Sequence, residues 1–266
     1  MSEEKAPGRV VGSIANGVAE LLFDNEPRRN AISVAMSQQA ADLLESFAGN
    51  PDVRLLVIRG AGDTSFISGA DISEFEKVRK DAETAARYSK ISSQMYTRVR
   101  EFPKPVIARI RGFCFGGGMG LAAACDLRIA SDDSLFSIPA GRLGIAYRAD
   151  FIAWLNEIVG PARLKEILIT ARRYPAAEAA SIGLVHRVVP VADFDDVFAK
   201  YIADIADNAP LSTAASKIVI NEVADQMRHV DLDKCRKLSD LCAGSADFQE
   251  GRRAFMEKRR PKFTGR

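Results

Sequence analysis

Two glycine-containing segments, about fifty residues apart, carry the clearest chemical signal in the sequence. They are 65–72 (SFISGADI) and 112–120 (GFCFGGGMG), and each follows an apolar run typical of a buried strand, at 53–58 and 106–110. Backbone N–H groups are unpaired where a strand turns into a helix, and the helix dipole favours negative charge there. Two such turns side by side would offer two N–H donors to one oxygen anion. That arrangement predicts stabilisation of a thioester enolate.

Alternating strand and helix patterns position these segments. The sequence predicts strands at 18–23, 55–58, 106–110, 127–130 and 135–138. It predicts helices at 33–47, with Ser33 as the N-cap, and at 87–100, 119–124 and around 152–159. This alternation indicates a parallel sheet covered by helices, and the pattern alone fits a doubly wound sheet equally well.

The pattern changes near residue 194. Helices are predicted at 194–206, 211–227, 232–242 and 247–258, with hardly a strand signal between them. We therefore expect an α/β core over residues 10–193 and a helical C-terminal region over 194–266.

Bulk properties are those of an ordinary globular protein. The chain has 266 residues, of which 47% are hydrophobic and 27% charged, and its net charge of +2 argues against nucleic-acid binding through overall charge. No run reaches the ~18 apolar residues of a membrane span, and without a signal-peptide pattern the cytoplasm is expected. Cys114 and Cys125 are interpreted as core residues, and His186 and His229 as structural ones, so no metal site is predicted.

Seven short segments extend the signal over nearly the whole chain. They are PRRNAI (27–32), SGADI (68–72), PKPVIA (103–108), GGG (116–118), CDLRIA (125–130), AASIGLV (179–185) and AFMEKRRP (254–261). In this order and spacing they resemble the enoyl-CoA hydratase/isomerase family, also called the crotonase family. GGG alone is a weak motif, but seven ordered matches are specific. The resemblance implies an α/β fold, a crotonase-like spiral of ββα turns with a helical trimerisation region, and hence a homotrimer or a dimer of trimers.

The resemblance also implies roles for individual residues. Ala70 and Gly117 would donate the two N–H groups of an oxyanion hole around the thioester carbonyl of an acyl-CoA. Coenzyme A would be part of the substrate, with no permanently bound cofactor. Contacts to it are expected from Arg28, Ala31, Ser68, Asp71, Ile72, Gly116, Lys258 and Phe263. An alternative is that the three glycines at 116–118 only permit close helix–strand packing.

The C-terminal tail is basic. Residues 251–266 contain seven lysines and arginines and one glutamate. A solvated tail is the usual interpretation of such a run, but cations beside Phe263 would also suit the phosphates and adenine of coenzyme A. By resemblance, Lys258 and Phe263 would make these contacts across a subunit boundary.

Two carboxylates of the family's hydratases are missing from this sequence. The family places glutamates at the positions of Gly120 and Ala140. General acid–base catalysis typically supplies about 10²–10⁴-fold in rate, so their loss would cripple hydration and leave the N–H pair intact. The residues therefore favour decarboxylation, isomerisation or another lyase reaction.

Replacement groups are sought close to the missing carboxylates. By resemblance, methylmalonyl-CoA decarboxylases carry a tyrosine at the position of Tyr147, which makes Tyr147 a candidate proton donor. Asp150 is a candidate base, although its place before an apolar helix is also typical of an N-cap. Arg142 and Arg148 would suit an acyl carboxylate, or would be solvated loop residues. A non-catalytic acyl-CoA-binding protein and a hydratase with unidentified acid/base groups are the alternative functions.

Overall fold

Two sheets form the framework of the computed structural model, which describes residues 7–74, 81–225 and 243–262 together with Lys237 and Asp240. The first sheet has the order β1-β2-β3-β5-β7-β10 and is parallel except for the β1–β2 pair. Its strands are β1 (Arg9–Ala15), β2 (Val18–Asp24), β3 (Leu55–Gly60), β5 (Val106–Ile110), β7 (Leu127–Ser131) and β10 (Arg187–Val189). The second sheet has the order β4-β6-β8-β9, with β9 antiparallel. Its strands are β4 (Ser65–Ile67), β6 (Phe113–Phe115), β8 (Leu135–Ser137) and β9 (Tyr174–Pro175).

Helices connect the strands and follow them. They are α1 (Val34–Gly49), α2 (Ala82–Arg100), α3 (Gly117–Ala124), α4 (Ala149–Thr170), α5 (Ala176–Ser181), α6 (Phe194–Ala206), α7 (Pro210–Asp225) and α8 (Ala246–Met256). Short 3₁₀ turns occur at Glu26–Arg28, Ile72–Glu74, Ala140–Arg142 and Val191–Asp193. α4 is interrupted at Gly160, where φ is 73°.

The chain order shows a spiral of ββα turns. Three successive turns, β3-β4-α2, β5-β6-α3 and β7-β8-α4, each add one strand to each sheet before the helix. In a doubly wound fold all these strands would share one sheet. The fold expected from the family resemblance is therefore confirmed, and the doubly wound alternative is wrong.

Local sequence explains where these elements begin. Ser33 Oγ accepts a hydrogen bond from the Met36 amide, which confirms Ser33 as the N-cap of α1. α1 then buries Met36, Ala40, Leu44 and Phe47 on one face. The strands of the second sheet are two or three residues long, so their alternation is too short to distinguish β4, β6 and β9 in the sequence.

Most of the C-terminal region is helical, as predicted. α6 packs Phe194, Phe198 and Ile202 against Leu55, Val57 and Ile107 of the first sheet. Lys217 of α7 forms an ion pair with Asp126 (2.9 Å) and ties that helix to the core. The helix predicted at 232–242 lies outside the described residues, as does His229. The boundary at residue 193 and the trimerisation role stay predictions.

The described helices are all too short or too polar to cross a membrane. Cys114 and Cys125 are fully buried, which confirms them as core residues.

Candidate active site

The two glycine-containing segments meet at the ends of β4 and β6. A Cβ placed on Gly117 would lie 3.5 Å from the amide nitrogen of Ala70, and a Cβ on Gly69 would lie 3.5 Å from the amide nitrogen of Gly117. Within the described residues, neither amide donates a hydrogen bond to another protein group. Gly117 is the first residue of α3, where an N–H group has no intrahelical acceptor. Two unpaired donors thus face one gap.

Backbone hydrogen bonds hold Ala70 in this position. Ile32 N donates to Gly69 O (2.8 Å), and Asp71 N donates to Ile32 O (2.9 Å). Ala70 thereby forms an isolated parallel bridge with Ile32. Because the bonds lie on both sides of Ala70, its own N–H is left directed elsewhere while the segment stays fixed.

The three glycines at 116–118 differ in their surroundings. A Cβ on Gly118 would lie 2.2 Å from the carbonyl oxygen of Ile67, so Gly118 permits close packing. Gly116 has open space around it but needs its positive φ of 51°. At Gly117 the nearest obstacle is the Tyr96 hydroxyl, at 2.8 Å. The packing interpretation therefore applies to Gly118, whereas a side chain at position 117 would meet the Tyr96 hydroxyl.

The residues predicted to contact coenzyme A near the first segment form a linked group. Asp71 is 5% exposed and forms an ion pair with Arg28, and its Oδ1 accepts from the Ser73 amide (3.0 Å) and hydroxyl (2.7 Å). Ser68 Oγ donates to Arg28 O (3.1 Å). Ala31 is buried, and Ile72 is half-buried in a 3₁₀ turn. The Asp71 carboxylate is fully used inside the protein, so it joins the 26–32 turn to the oxyanion segment.

Phe151 occupies the space beside Gly120. A Cβ on Gly120 would lie 2.6 Å from the Phe151 ring, so a glutamate at this position would collide with that ring. Ala140, the second position, is buried in a 3₁₀ turn. The structure therefore has an aromatic ring beside Gly120, the first of the two positions at which the family resemblance implies a carboxylate in hydratases.

The Tyr147 hydroxyl is bound to the loop that precedes α3. It donates a hydrogen bond to the carbonyl oxygen of Gly116 at 2.7 Å, and its ring lies 5.4 Å from that of Phe151. Burial raises the pKa of this hydroxyl well above its usual value. Tyr147 thus stays neutral and supports the loop that presents the Gly117 amide.

The structure corrects the N-cap interpretation of Asp150. α4 begins at Ala149 with Arg148 at the N-cap position, and Asp150 lies inside the first turn. Its carboxylate pairs with Arg148, through Nε–Oδ1 at 3.0 Å and Nη2–Oδ2 at 2.5 Å. Arg148 also donates to Ser93 Oγ (2.7 Å). The pairing occupies both candidates, since the Asp150 oxygens already accept from Arg148 and the guanidinium has fewer donors left for an acyl carboxylate.

Sequence reasoning missed two aromatic residues of the site, Tyr96 and Phe151. Tyr96 lies on α2, is 3% exposed, and packs edge-on against Phe151 with ring centroids 4.5 Å apart. No motif marks either position. Their only sequence signal is an aromatic residue on the apolar face of an amphipathic helix, which is usually a core residue.

The basic tail lies beside α8. Lys258 is exposed and follows the helix, whereas Phe263 lies outside the described residues. An open cavity of about 770 Å³ is lined by four cations and two carboxylates, namely Arg253, Arg259, Arg260, Lys262, Asp247 and Glu250, with Ala246 and Gln249. α8 itself packs on the turn before Tyr147, because a Cβ on Gly144 would lie 2.5 Å from Asp247 O.

The structure also bears on the histidine and metal-site predictions. His186 Nδ1 accepts a hydrogen bond from the Arg128 amide (3.1 Å), in agreement with a structural role. In the part of the chain that the structure describes, no cluster of histidine, cysteine and acidic residues could hold a metal ion.

Comparison with known proteins agrees with this arrangement. Residues 13–266 match the profile of the family described as enoyl-CoA hydratase/isomerase. The chain is 32% identical over 251 residues to the crotonyl-CoA hydratase of Syntrophomonas wolfei subsp. wolfei, covering 92% of this chain and 94% of the relative. It is 33% identical over 254 residues to the carnitinyl-CoA dehydratase of Proteus mirabilis, covering 94% and 95%. A solved structure of methylmalonyl-CoA decarboxylase in complex with 2-nitronate-propionyl-CoA superposes with a TM-score of 0.87 at 27% identity, covering 98% of this chain and 100% of that one.

Proposed function

The chain belongs to the enoyl-CoA hydratase/isomerase family, and on that basis we propose that it is an enzyme acting on an acyl-CoA thioester. In this proposal the amides of Ala70 and Gly117 bind the thioester oxygen and stabilise the enolate that forms during the reaction. The observation that carries the proposal is the pair of unbonded N–H groups facing one gap. Fixed donors of this kind stabilise developing negative charge without reorganisation.

The reaction that these residues favour is decarboxylation or isomerisation rather than hydration. Hydration of a double bond requires groups that activate water and transfer the proton. Gly120 and Ala140 supply none, and Phe151 fills the space beside Gly120. One oxyanion donor is worth about 10²–10³-fold in rate, so enolate stabilisation retains much of the catalytic power when the carboxylates are missing.

Decarboxylation suits this site because it needs no base. The bond between the α-carbon and the departing carboxylate breaks, CO₂ leaves, and the electron pair remains as the enolate, whose α-carbon then takes a proton from water to give the product. Arg148 satisfies the charge of Asp150, and Tyr147 bonds Gly116. The roles we propose for Tyr147 and Asp150 are therefore to position the loop and to hold Arg148 against α2.

Coenzyme A would be bound as part of the substrate. We propose contacts from Arg28, Ala31, Ser68, Ile72 and Gly116, which lie in or next to the two turns in the chain or pair with them, and cations near Lys258 line the open cavity at the end of α8. Arg148 stacks over the Phe151 ring, 4.8 Å from its centroid, and closes the opposite side.

A homotrimer or a dimer of trimers accompanies this proposal. α7 exposes a group of large apolar side chains that a monomer would leave in water, namely Leu211, Ile218, Val219 and Ile220.

A non-catalytic acyl-CoA-binding protein is the second candidate. It is favoured by one observation: both candidate acid/base groups, Tyr147 and Asp150, are occupied by partners within the chain. Binding without turnover would be its signature.

Liquid chromatography coupled to mass spectrometry tests the proposal, because loss of CO₂ and gain of water change the mass while the two butenoyl isomers differ only in retention time. The protein is incubated separately with methylmalonyl-CoA, 3-butenoyl-CoA and crotonyl-CoA, with Gly117→Ala as the matched control. We expect loss of CO₂ or migration of the double bond, abolished in the control. Gain of water on crotonyl-CoA at a hydratase rate would contradict the proposed reaction class. No change in any substrate, with acyl-CoA binding retained, would favour the binding-only candidate.

A further inference from the structure

Tyr96 places a buried hydroxyl at the gap between the two amides. One point beside the Gly117 Cα, where a Cβ would stand, lies 2.8 Å from Tyr96 Oη and 3.5 Å from the Ala70 amide nitrogen. The residue is 3% exposed, so most of its side chain is shielded from bulk water. An oxygen atom bound by the amides would therefore lie close to a phenolic O–H group.

This hydroxyl makes no hydrogen bond to any other residue that the structure describes. A tyrosine hydroxyl at the end of a buried ring normally finds a partner, either in the protein or in water. The gap beside Gly117 is the place where a ligand would supply the missing acceptor.

The surrounding side chains fix the ring and leave the hydroxyl as the remaining donor. Phe151 packs edge-on against the ring, and the Arg148 guanidinium lies 5.7 Å from its centroid. Tyr147 is bonded to Gly116, and Arg148 to Asp150 and Ser93. A donor held by packing requires little reorganisation when charge develops.

Resting on the proposed function, we propose that Tyr96 is a catalytic residue whose hydroxyl donates a third hydrogen bond to the enolate oxygen. The electron pair released when the bond to the α-carbon breaks moves toward the thioester oxygen, and the Ala70 amide, the Gly117 amide and Tyr96 share its charge. The proton stays on Tyr96, so no group is transferred.

The electrostatics of the site suit a permanent donor. Burial raises the pKa of Tyr96, with the neighbouring Tyr88 acting in the same direction. Tyr96 therefore remains a neutral phenol at the pH of the cell and cannot act as a base. Hydrogen bonds to charged groups are stronger than those to neutral ones, so this donor would favour the enolate over the ground-state thioester.

Isothermal titration calorimetry with two ligands tests the inference on wild type and Tyr96→Phe. Propionyl-CoA represents the ground state. 2-Nitronate-propionyl-CoA carries negative charge that is shared between its nitro group and the thioester oxygen, so it represents the enolate. We expect wild type to bind the nitronate more tightly. A charge-assisted hydrogen bond is worth about 10–10²-fold in affinity, so Tyr96→Phe should lower this preference by that factor and leave propionyl-CoA binding nearly unchanged.

Tyr174→Phe is the matched control. Tyr174 is another buried tyrosine, but it lies on β9 at the edge of the second sheet. This variant should keep the wild-type preference. If Tyr96→Phe weakens both ligands equally, or if Tyr174→Phe lowers the preference as much, the inference is overturned in favour of a packing role.

The outcomes separate this inference from the proposed function. A preference that wild type and Tyr96→Phe share would overturn the role of Tyr96 and leave the enolate proposal intact. No preference in wild type would overturn both. Should Tyr96→Phe fail to fold, 3-fluorotyrosine at position 96 retains the hydroxyl as a stronger donor. It should preserve or increase the preference, and a decrease would overturn the inference.

Discussion

Substitution of Gly117 by alanine should separate function from stability. The residue begins α3, its φ lies outside the left-handed region, and alanine is favoured over glycine in a helix by about 0.5–1 kcal/mol. The added methyl would meet the end of the Tyr96 side chain at 2.8 Å and nothing else closer than 3.5 Å. Displacing one hydroxyl offsets the helix preference, so we expect the free energy of unfolding to change by less than about 1 kcal/mol.

The effect on function should be much larger. The methyl would stand in the gap between the Gly117 and Ala70 amides and push the thioester oxygen out of reach of at least one of them. Loss of one oxyanion donor costs about 10²–10³-fold in rate, or about 2.7–4 kcal/mol. Turnover should fall by at least that factor in the product assay, and the preference for the nitronate ligand should disappear.

Gly118→Ala is the matched comparison for this prediction. Its methyl would lie 2.2 Å from the Ile67 carbonyl oxygen, and backbone cannot move aside as a side chain can. Overpacking of this kind typically costs about 1–3 kcal/mol, and at a backbone contact the upper end or more is expected. Urea denaturation of both variants gives the two free energies. If Gly117→Ala were as destabilising as Gly118→Ala, or if it were stable and fully active, the assignment of Gly117 to the oxyanion hole would be refuted.

Three further predictions concern the walls of the site and the edge of the first sheet. Gly120→Glu should lower the free energy of unfolding by about 1–3 kcal/mol in urea denaturation, because its Cβ would lie 2.6 Å from the Phe151 ring. Adding Phe151→Ala should relieve the steric part of this loss. An unchanged denaturation midpoint in the single variant would contradict the clash. Tyr147→Phe leaves the Gly116 carbonyl without its 2.7 Å hydrogen bond, so it should cost about 0.5–1.5 kcal/mol by the same measurement, and the prediction fails if the variant is as stable as wild type. Loss of hydration and the charge of Arg128 lower the pKa of His186 to about 4. Because the unfolded chain takes up this proton near pH 6.5 and the folded chain only near 4, stability should fall as pH drops through that window; an equally steep fall in His186→Asn would contradict this.

The sequence located the two glycine-containing turns because their positions depend on local chain geometry, and the oxyanion role of Ala70 and Gly117 stays a proposal. Strand-to-helix turns with glycine leave N–H groups unpaired wherever they occur, and the Ser68–Ile72 and Gly116–Gly118 matches located both turns. The same motif could not show that Gly118 packs against the Ile67 backbone while Gly117 faces the Tyr96 hydroxyl, since that difference depends on which distant residue lies opposite each glycine.

The other parts of the site depend on contacts between distant segments. Tyr96 lies next to Gly117 because of the exact rotation of α2 about its axis. A periodic apolar pattern identifies the buried face of the helix but does not define that rotation. The contact between Phe151 and Gly120 likewise depends on where α4 crosses α3 along its length. The N-cap of α4 was misplaced by two residues because Arg148 is not a common capping residue, whereas Asp150 is of a type that often is.

The central claim is that the amides of Ala70 and Gly117 bind the thioester oxygen, and infrared difference spectroscopy tests it most directly. Propionyl-CoA labelled with ¹³C at the thioester carbonyl is bound to wild type and to Gly117→Ala, and the isotope-edited carbonyl stretch is compared with that of the free ligand. Hydrogen bonds from two amides weaken the C=O bond, so the account predicts a shift to lower frequency in wild type that is reduced or lost in the variant. A carbonyl stretch in wild type that is the same as in water, or a shift of equal size in both proteins, would contradict it.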